Sequence, residues 1–94
     1  GGLLYTSGVR DLAELCGAHW LIDLVASHQL DPKARAEEFQ VWRLKVADDH
    51  TAVATMDDGN GRVVITQQIE FTDFPLDEIT LYLTDGVLLL PGEY

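Results

Sequence analysis

Apolar and polar positions along this chain follow two different periods. Val9, Leu12, Ala13 and Cys16 fall at i, i+3, i+4 and i+7, a single helical stripe, and Trp20, Leu21, Leu24 and Val25 form a second one. The spacing predicts helix across Thr6 to Gln29, with Thr6 or Ser7 capping its start and Asp11 and Glu14 near its positive end. Gly17 weakens a helix interior by roughly 1 kcal/mol relative to Ala. A break is therefore expected there, followed by a second helix from Ala18 to His28. "LDPKARAEE" comes next, where Pro32 suits the first turn of a short solvated helix or a loop.

The period then changes to two. In "FQVWRLKV" (Phe39 to Val46), Trp42, Leu44 and Val46 share one face, and Arg43 and Lys45 the other. "ADDH" reads as a turn and "TAVATM" (Thr51 to Met56) as a second strand. "DDGNG" carries Asp-Gly and Asn-Gly pairs, which supply the positive φ angles of a tight hairpin. "RVVITQQIEF" (Arg62 to Phe71) is a third strand, with Val63, Ile65, Ile69 and Phe71 on the same side as Gln67. These runs predict a three-stranded antiparallel meander with one dry and one wet face.

The last third supports two readings. "ITLYLTDGVLLLP" forms two strands around an Asp-Gly turn, or a helix with Leu76, Ile79, Tyr82 and Leu83 at helical spacing. Asp73 ahead of Pro75 offers a cap, Asp77 and Glu78 sit where a helix N-terminus welcomes acids, and Gly86 is a stop signal. The helix is the favoured reading, which turns Val87, Leu88, Leu89 and Leu90 into an extended apolar tail. The expected architecture over residues 1–94 is one α+β domain: two N-terminal helices packed on a three-stranded antiparallel β-meander, followed by a C-terminal helix and that tail.

Charge changes the picture most. Sixteen acids against six bases leave a formal charge of −10, and nothing after Arg62 is Lys or Arg. Cations that neutralise phosphates drive direct nucleic-acid binding, so this chain would repel nucleic acid, and anionic membranes likewise. No apolar run approaches the length of a membrane span, and no basic-then-apolar leader precedes the first helix. Cys16 is the single cysteine, which excludes an internal disulfide and suits a reducing cytoplasm.

Candidate chemistry is sparse. Cys16, His19 and Asp23 stand at i, i+3 and i+7 and can all ligate zinc, with His50 as a fourth ligand. Against this, Cys16 already belongs to the apolar stripe, Gly17 disturbs the helical phase, and no CxxC or HExxH pattern supports a site. His19 and Asp23 could form the acid–base pair of a small enzyme, but no recognisable nucleophile accompanies them, and a helix-surface i,i+4 pair is the simpler reading. Arg43, Lys45 and Arg62 could make a basic patch, although cross-strand pairing with acids is commoner. Trp20, Trp42 and Tyr82, with Tyr5, could line a pocket for a small cation. Val87, Leu88, Leu89 and Leu90, with Leu3 and Leu4, offer more apolar surface than a small core hides, which predicts a homodimer. No phosphate-binding loop is present, and no cofactor is expected.

The motifs "LLYTSGVRDLAE", "GAHWLIDLVASHQ", "FQVWRLKV", "ITQQIEFTDFPLDEITLYL" and "GVLLLPGEY" resemble an uncharacterised family of small bacterial domains carried on plasmids, phages and other mobile DNA. The resemblance covers almost the whole chain. It implies that an N-terminal portion ahead of "LLYT" is missing, and that His19 and His28 stand where relatives have an aromatic, in packing roles. It carries over no activity. The expected function is a non-enzymatic acidic interaction module of mobile-element origin, self-associating and binding a basic protein or a small cationic ligand. A DNA mimic that occupies a basic nucleic-acid-binding protein is the sharper alternative, and a small enzyme using His19 and Asp23 the other.

Overall fold

Thr6 opens the first helix as the spacing predicts. In the computed structural model, which describes residues 3–94, its backbone is extended and its side chain accepts the Val9 N–H at 3.3 Å. Helix α1 runs Ser7–Cys16 and ends at Gly17, whose φ of 60° is left-handed and whose N–H returns to Ala13 O. Only a residue tolerant of that conformation closes a helix so sharply. Helix α2 (His19–His28) follows at once and buries Leu21, Ile22, Leu24 and Val25. A one-turn helix α3 (Pro32–Arg35) starts from Asp31, which accepts the Lys33 N–H, and buries Ala34.

The helices cover one face of a sheet wider than the period-two runs alone indicate. Strands β1 (Leu4–Tyr5), β2 (Phe39–Val46), β3 (Ala52–Asp57), β4 (Val63–Ile69), β5 (Glu78–Thr84) and β6 (Val87–Leu89) form a six-stranded sheet in the order β1-β6-β5-β2-β3-β4. All neighbours are antiparallel except β1 and β6, which makes the sheet mixed. The β2–β3–β4 meander is present, but as half of the sheet.

The predicted C-terminal helix is absent. Residues 78–84 are β5, antiparallel to β2 from Lys45↔Glu78 to Phe39↔Thr84, and the predicted tail is β6, returning along β5. The turn between them has positive φ at both Asp85 (53°) and Gly86 (77°), the two-residue form that matches the twist of a hairpin. Two physical reasons favour strand. Ile79, Thr80, Tyr82 and Thr84 are β-branched or aromatic. β2 would also keep a row of unpaired N–H and C=O groups along its second edge if nothing paired with it.

Register aligns the core in cross-strand rows beneath the helices. Leu81, Trp42, Met56 and Ile65 form one row, and Ile79, Leu44, Ala54 and Gln67 the next. Leu44, Met56, Leu81 and Leu88 are fully buried, each contributing about 1.5–3 kcal/mol relative to exposure. No helix among the described residues is long and apolar enough to cross a membrane.

Candidate functional site

Strand β4 lies at one edge of the sheet, yet β5 must pair on the far side of β2. The connection 70–77 therefore passes over the ends of β3 and β2, beside the turn that joins those two strands. Hydrogen bonds fix both segments. Thr72 N donates to His50 O at 2.8 Å and Val46 N to Asp77 O at 2.8 Å. Phe74 N donates to Thr72 Oγ1 at 3.1 Å, with Thr72 and Phe74 both buried. In the neighbouring turn, Thr51 donates to Asp49 Oδ1 from its N–H at 3.0 Å and from its hydroxyl at 2.7 Å.

This anchoring makes one exposure notable. Phe71, next to the anchored Thr72, is 70% exposed. Its ring lies tilted against the edge of the turn, with its centroid 5.8 Å from that of His50. Beside it is a hollow of about 220 Å³ lined by half-buried Trp20, Ile69, Phe71, Thr72 and Asp73.

The same end of the sheet gathers Asp48, Asp49, Glu70, Asp73, Asp77 and Glu78, all exposed. Among the described residues, the ion pairs lie elsewhere: Arg10 with Asp11, Arg43 with Asp57, and Arg62 with both Glu37 and Asp58. Lys45 stands in register with Glu78, but no ion pair joins them. The Thr51 hydroxyl and then the Thr51 N–H hold the Asp49 carboxyl below its ordinary value, because both donate to its charged form. The result is a locally negative potential around an outward aromatic ring.

The opposite end is built differently. A cleft of about 750 Å³ is lined by residues that include Gln29, Arg35, Glu38, Phe39, Asp85 and Tyr94. Gln40, 2% exposed, lies in its wall. The Gln40 amide donates to Gln29 Oε1, Ala34 O and Glu37 O, and its carbonyl accepts from Gln29 Nε2 and Trp42 Nε1. Every polar atom of that side chain is occupied within the fold. Phe39, Tyr82 and Tyr94 stack mutually at 5.2–5.6 Å on the sheet face away from the helices.

The residues singled out from sequence are dispersed. Gly17 separates Cys16 from His19 and Asp23. The last two are exposed on α2 with no ion pair between them, and neither lines the two concavities above. No group of three His, Cys, Asp or Glu among the described residues could hold a metal. Trp42 is 2% exposed in the core, Trp20 borders the small hollow, Tyr5 is on β1 and Tyr82 is on the opposite face, so they form no common pocket. Arg43 and Lys45 share the open face. Arg62 follows a register shift at Met56/Asp57 and turns to Glu37 and Asp58 instead. Leu88 and Leu89 are buried inside the sheet, with Val87 and Leu90 partly so. The fold covers most of this segment, whereas Leu4, invoked with it for a dimer, is 68% exposed.

Sequence reasoning missed Phe71 as a surface feature, because alternation from Val63 assigned it to a strand face. The available signal was the second aromatic in "FTDFP": two phenylalanines three apart in a short connection cannot both occupy one buried position.

The model of a family described as a family of unknown function, DUF6876, matches residues 1–94, which bears out membership of an uncharacterised family over the whole chain. No curated protein matches, and no solved structure matches.

Proposed function

Because this chain belongs to DUF6876, a family of unknown function, we propose its role from its own surface: it is a non-enzymatic interaction module whose acidic sheet end docks on a basic protein. One observation carries the reading. Carboxylates from two hydrogen-bonded connections gather at the sheet end that carries exposed Phe71, and no Lys or Arg forms an ion pair with them among the described residues. Interfaces commonly combine an aromatic anchor with a charged rim that steers approach and rejects wrong partners. An acidic rim selects a cationic surface. The setting proposed is a bacterial cytoplasm, on the single cysteine and the motif resemblance, with the gene an accessory of mobile DNA. DNA mimicry is the special case in which the partner itself binds nucleic acid; competition by duplex DNA for that partner identifies it.

The test compares two variants of equal net charge. One neutralises the sheet end (Asp48→Asn, Asp73→Asn, Asp77→Asn). The other neutralises helix-surface acids (Asp11→Asn, Glu14→Gln, Asp23→Asn). Binding of a lysine- and arginine-rich peptide is measured by calorimetry across a salt series. The sheet-end variant should lose about tenfold in affinity, or about 1.4 kcal/mol, while the helix variant stays within about twofold. Equal losses would make the attraction a property of net charge alone and overturn the reading.

A further inference from the structure

We propose that the hollow between Trp20 and Phe71 is an anchor subsite for a single arginine side chain of the basic partner. The inference rests on the docking role above and adds what the docking recognises.

Size argues first. At about 220 Å³ the hollow is smaller than the roughly 300–1,000 Å³ that holds a drug-sized ligand, and is on the scale of one long side chain. Its walls are apolar and aromatic: Trp20, Ile69 and Phe71, with Thr72 below, its hydroxyl already accepting the Phe74 N–H. Asp73 lines the same hollow and is exposed, and Glu70 precedes Phe71 in the chain. A side chain suited to this place has a long apolar stem, a face that stacks on aromatic rings, and a positive head for a carboxylate.

Arginine and lysine both carry the stem and the charge, but the guanidinium is planar, less strongly hydrated, stacks on aromatic faces and can bond a carboxylate in bidentate fashion. The geometry therefore favours arginine. Preorganisation lowers the cost of occupying the subsite. The backbone that carries Phe71 is fixed on both sides, by the pairing of Ile69 with Ala52 and by the Thr72-to-His50 bond, so little backbone ordering cost remains when the partner arrives.

The test uses three matched peptides, Gly-Arg, Gly-Lys and Gly-citrulline repeats, titrated into the whole chain. The readouts are affinity by calorimetry and the indole N–H signal of Trp20 by NMR, with buried Trp42 as the internal reference. The arginine peptide should bind about fivefold tighter than the lysine peptide and shift the Trp20 signal. Phe71→Ala should erase that preference while Phe71→Tyr keeps it, and the unchanged Trp42 signal shows that the fold is intact. Equal affinity for the arginine and lysine peptides, or a preference that survives Phe71→Ala, overturns the subsite and leaves the acidic docking role standing. Failure of both cationic peptides to bind better than the citrulline peptide overturns the docking role and the subsite together. Concentration-dependent association of the free protein that Phe71→Ala abolishes would assign the ring to a second copy of this chain, which also overturns the subsite.

Discussion

Thr6 Oγ1 donates to Glu93 Oε1 at 2.7 Å, joining residues 87 positions apart in the chain. The same hydroxyl caps α1 by accepting the Val9 N–H, and the same carboxylate accepts the Leu90 N–H at 2.9 Å. The start of the first helix and the final turn of the chain are thus one hydrogen-bonded unit, reinforced by Thr6 N donating to Leu88 O at 3.0 Å.

Thr6→Ala should lower unfolding stability by about 1–2 kcal/mol in urea titration, since a lost N-cap alone costs typically about 1. Thr6→Ser keeps the hydroxyl and should stay close to the parent. Equal losses for both variants would show that the threonine methyl, rather than the hydrogen bonds, matters here.

Acid should loosen this unit. The Leu90 N–H, and after it the Thr6 hydroxyl, hold the Glu93 carboxyl below its ordinary value. A depressed folded-state pKa contributes stability that is present above the unfolded value, about 4.3 for glutamate, and lost as pH falls through the folded one. Glu93→Gln should flatten the melting temperature against pH below about 4.3 and leave its slope at neutral pH unchanged. An unchanged acid slope in the variant would remove Glu93 from the account.

Gln40→Leu should cost about 2–3 kcal/mol, because the Trp42 indole N–H and the Ala34 carbonyl lose the amide that serves them inside the protein. Adding Trp42→Phe removes the orphaned donor, so the double variant should lose less than the sum of the single ones. Simple additivity in denaturation would mean that water reaches the indole.

Gly86→Ala places a side chain at φ 77° and should cost about 1–2 kcal/mol in thermal or chemical unfolding. Gly86→Asn should cost less, because asparagine tolerates the left-handed region. A neutral Gly86→Ala would be incompatible with the β5–β6 hairpin.

Periodicity was enough wherever one segment's own pattern decides its conformation. The Thr6 cap, the break at Gly17, helices α1 and α2, and the β2–β3–β4 meander were all legible, because capping, positive φ and a dry face are local properties. Residues 76–83 were not. Their side chains satisfy a helical stripe and a strand alternation at once, with Leu83 on the buried side of both readings. Choosing strand required β2 to have a free edge in that register, and a partner 33 to 45 residues away leaves no mark on local spacing. Leu4–Tyr5 was hidden for the same reason, since two residues carry no period. The candidate site was the least legible of all. Its acids could be counted from the sequence, but they come together, with Phe71 turned outward, only because the 70–77 connection crosses the sheet end so that β5 can pair with β2. Local sequence determined which faces are dry. Strand pairing across long separations, driven by unpaired backbone groups that must find partners, decided what stands beside what.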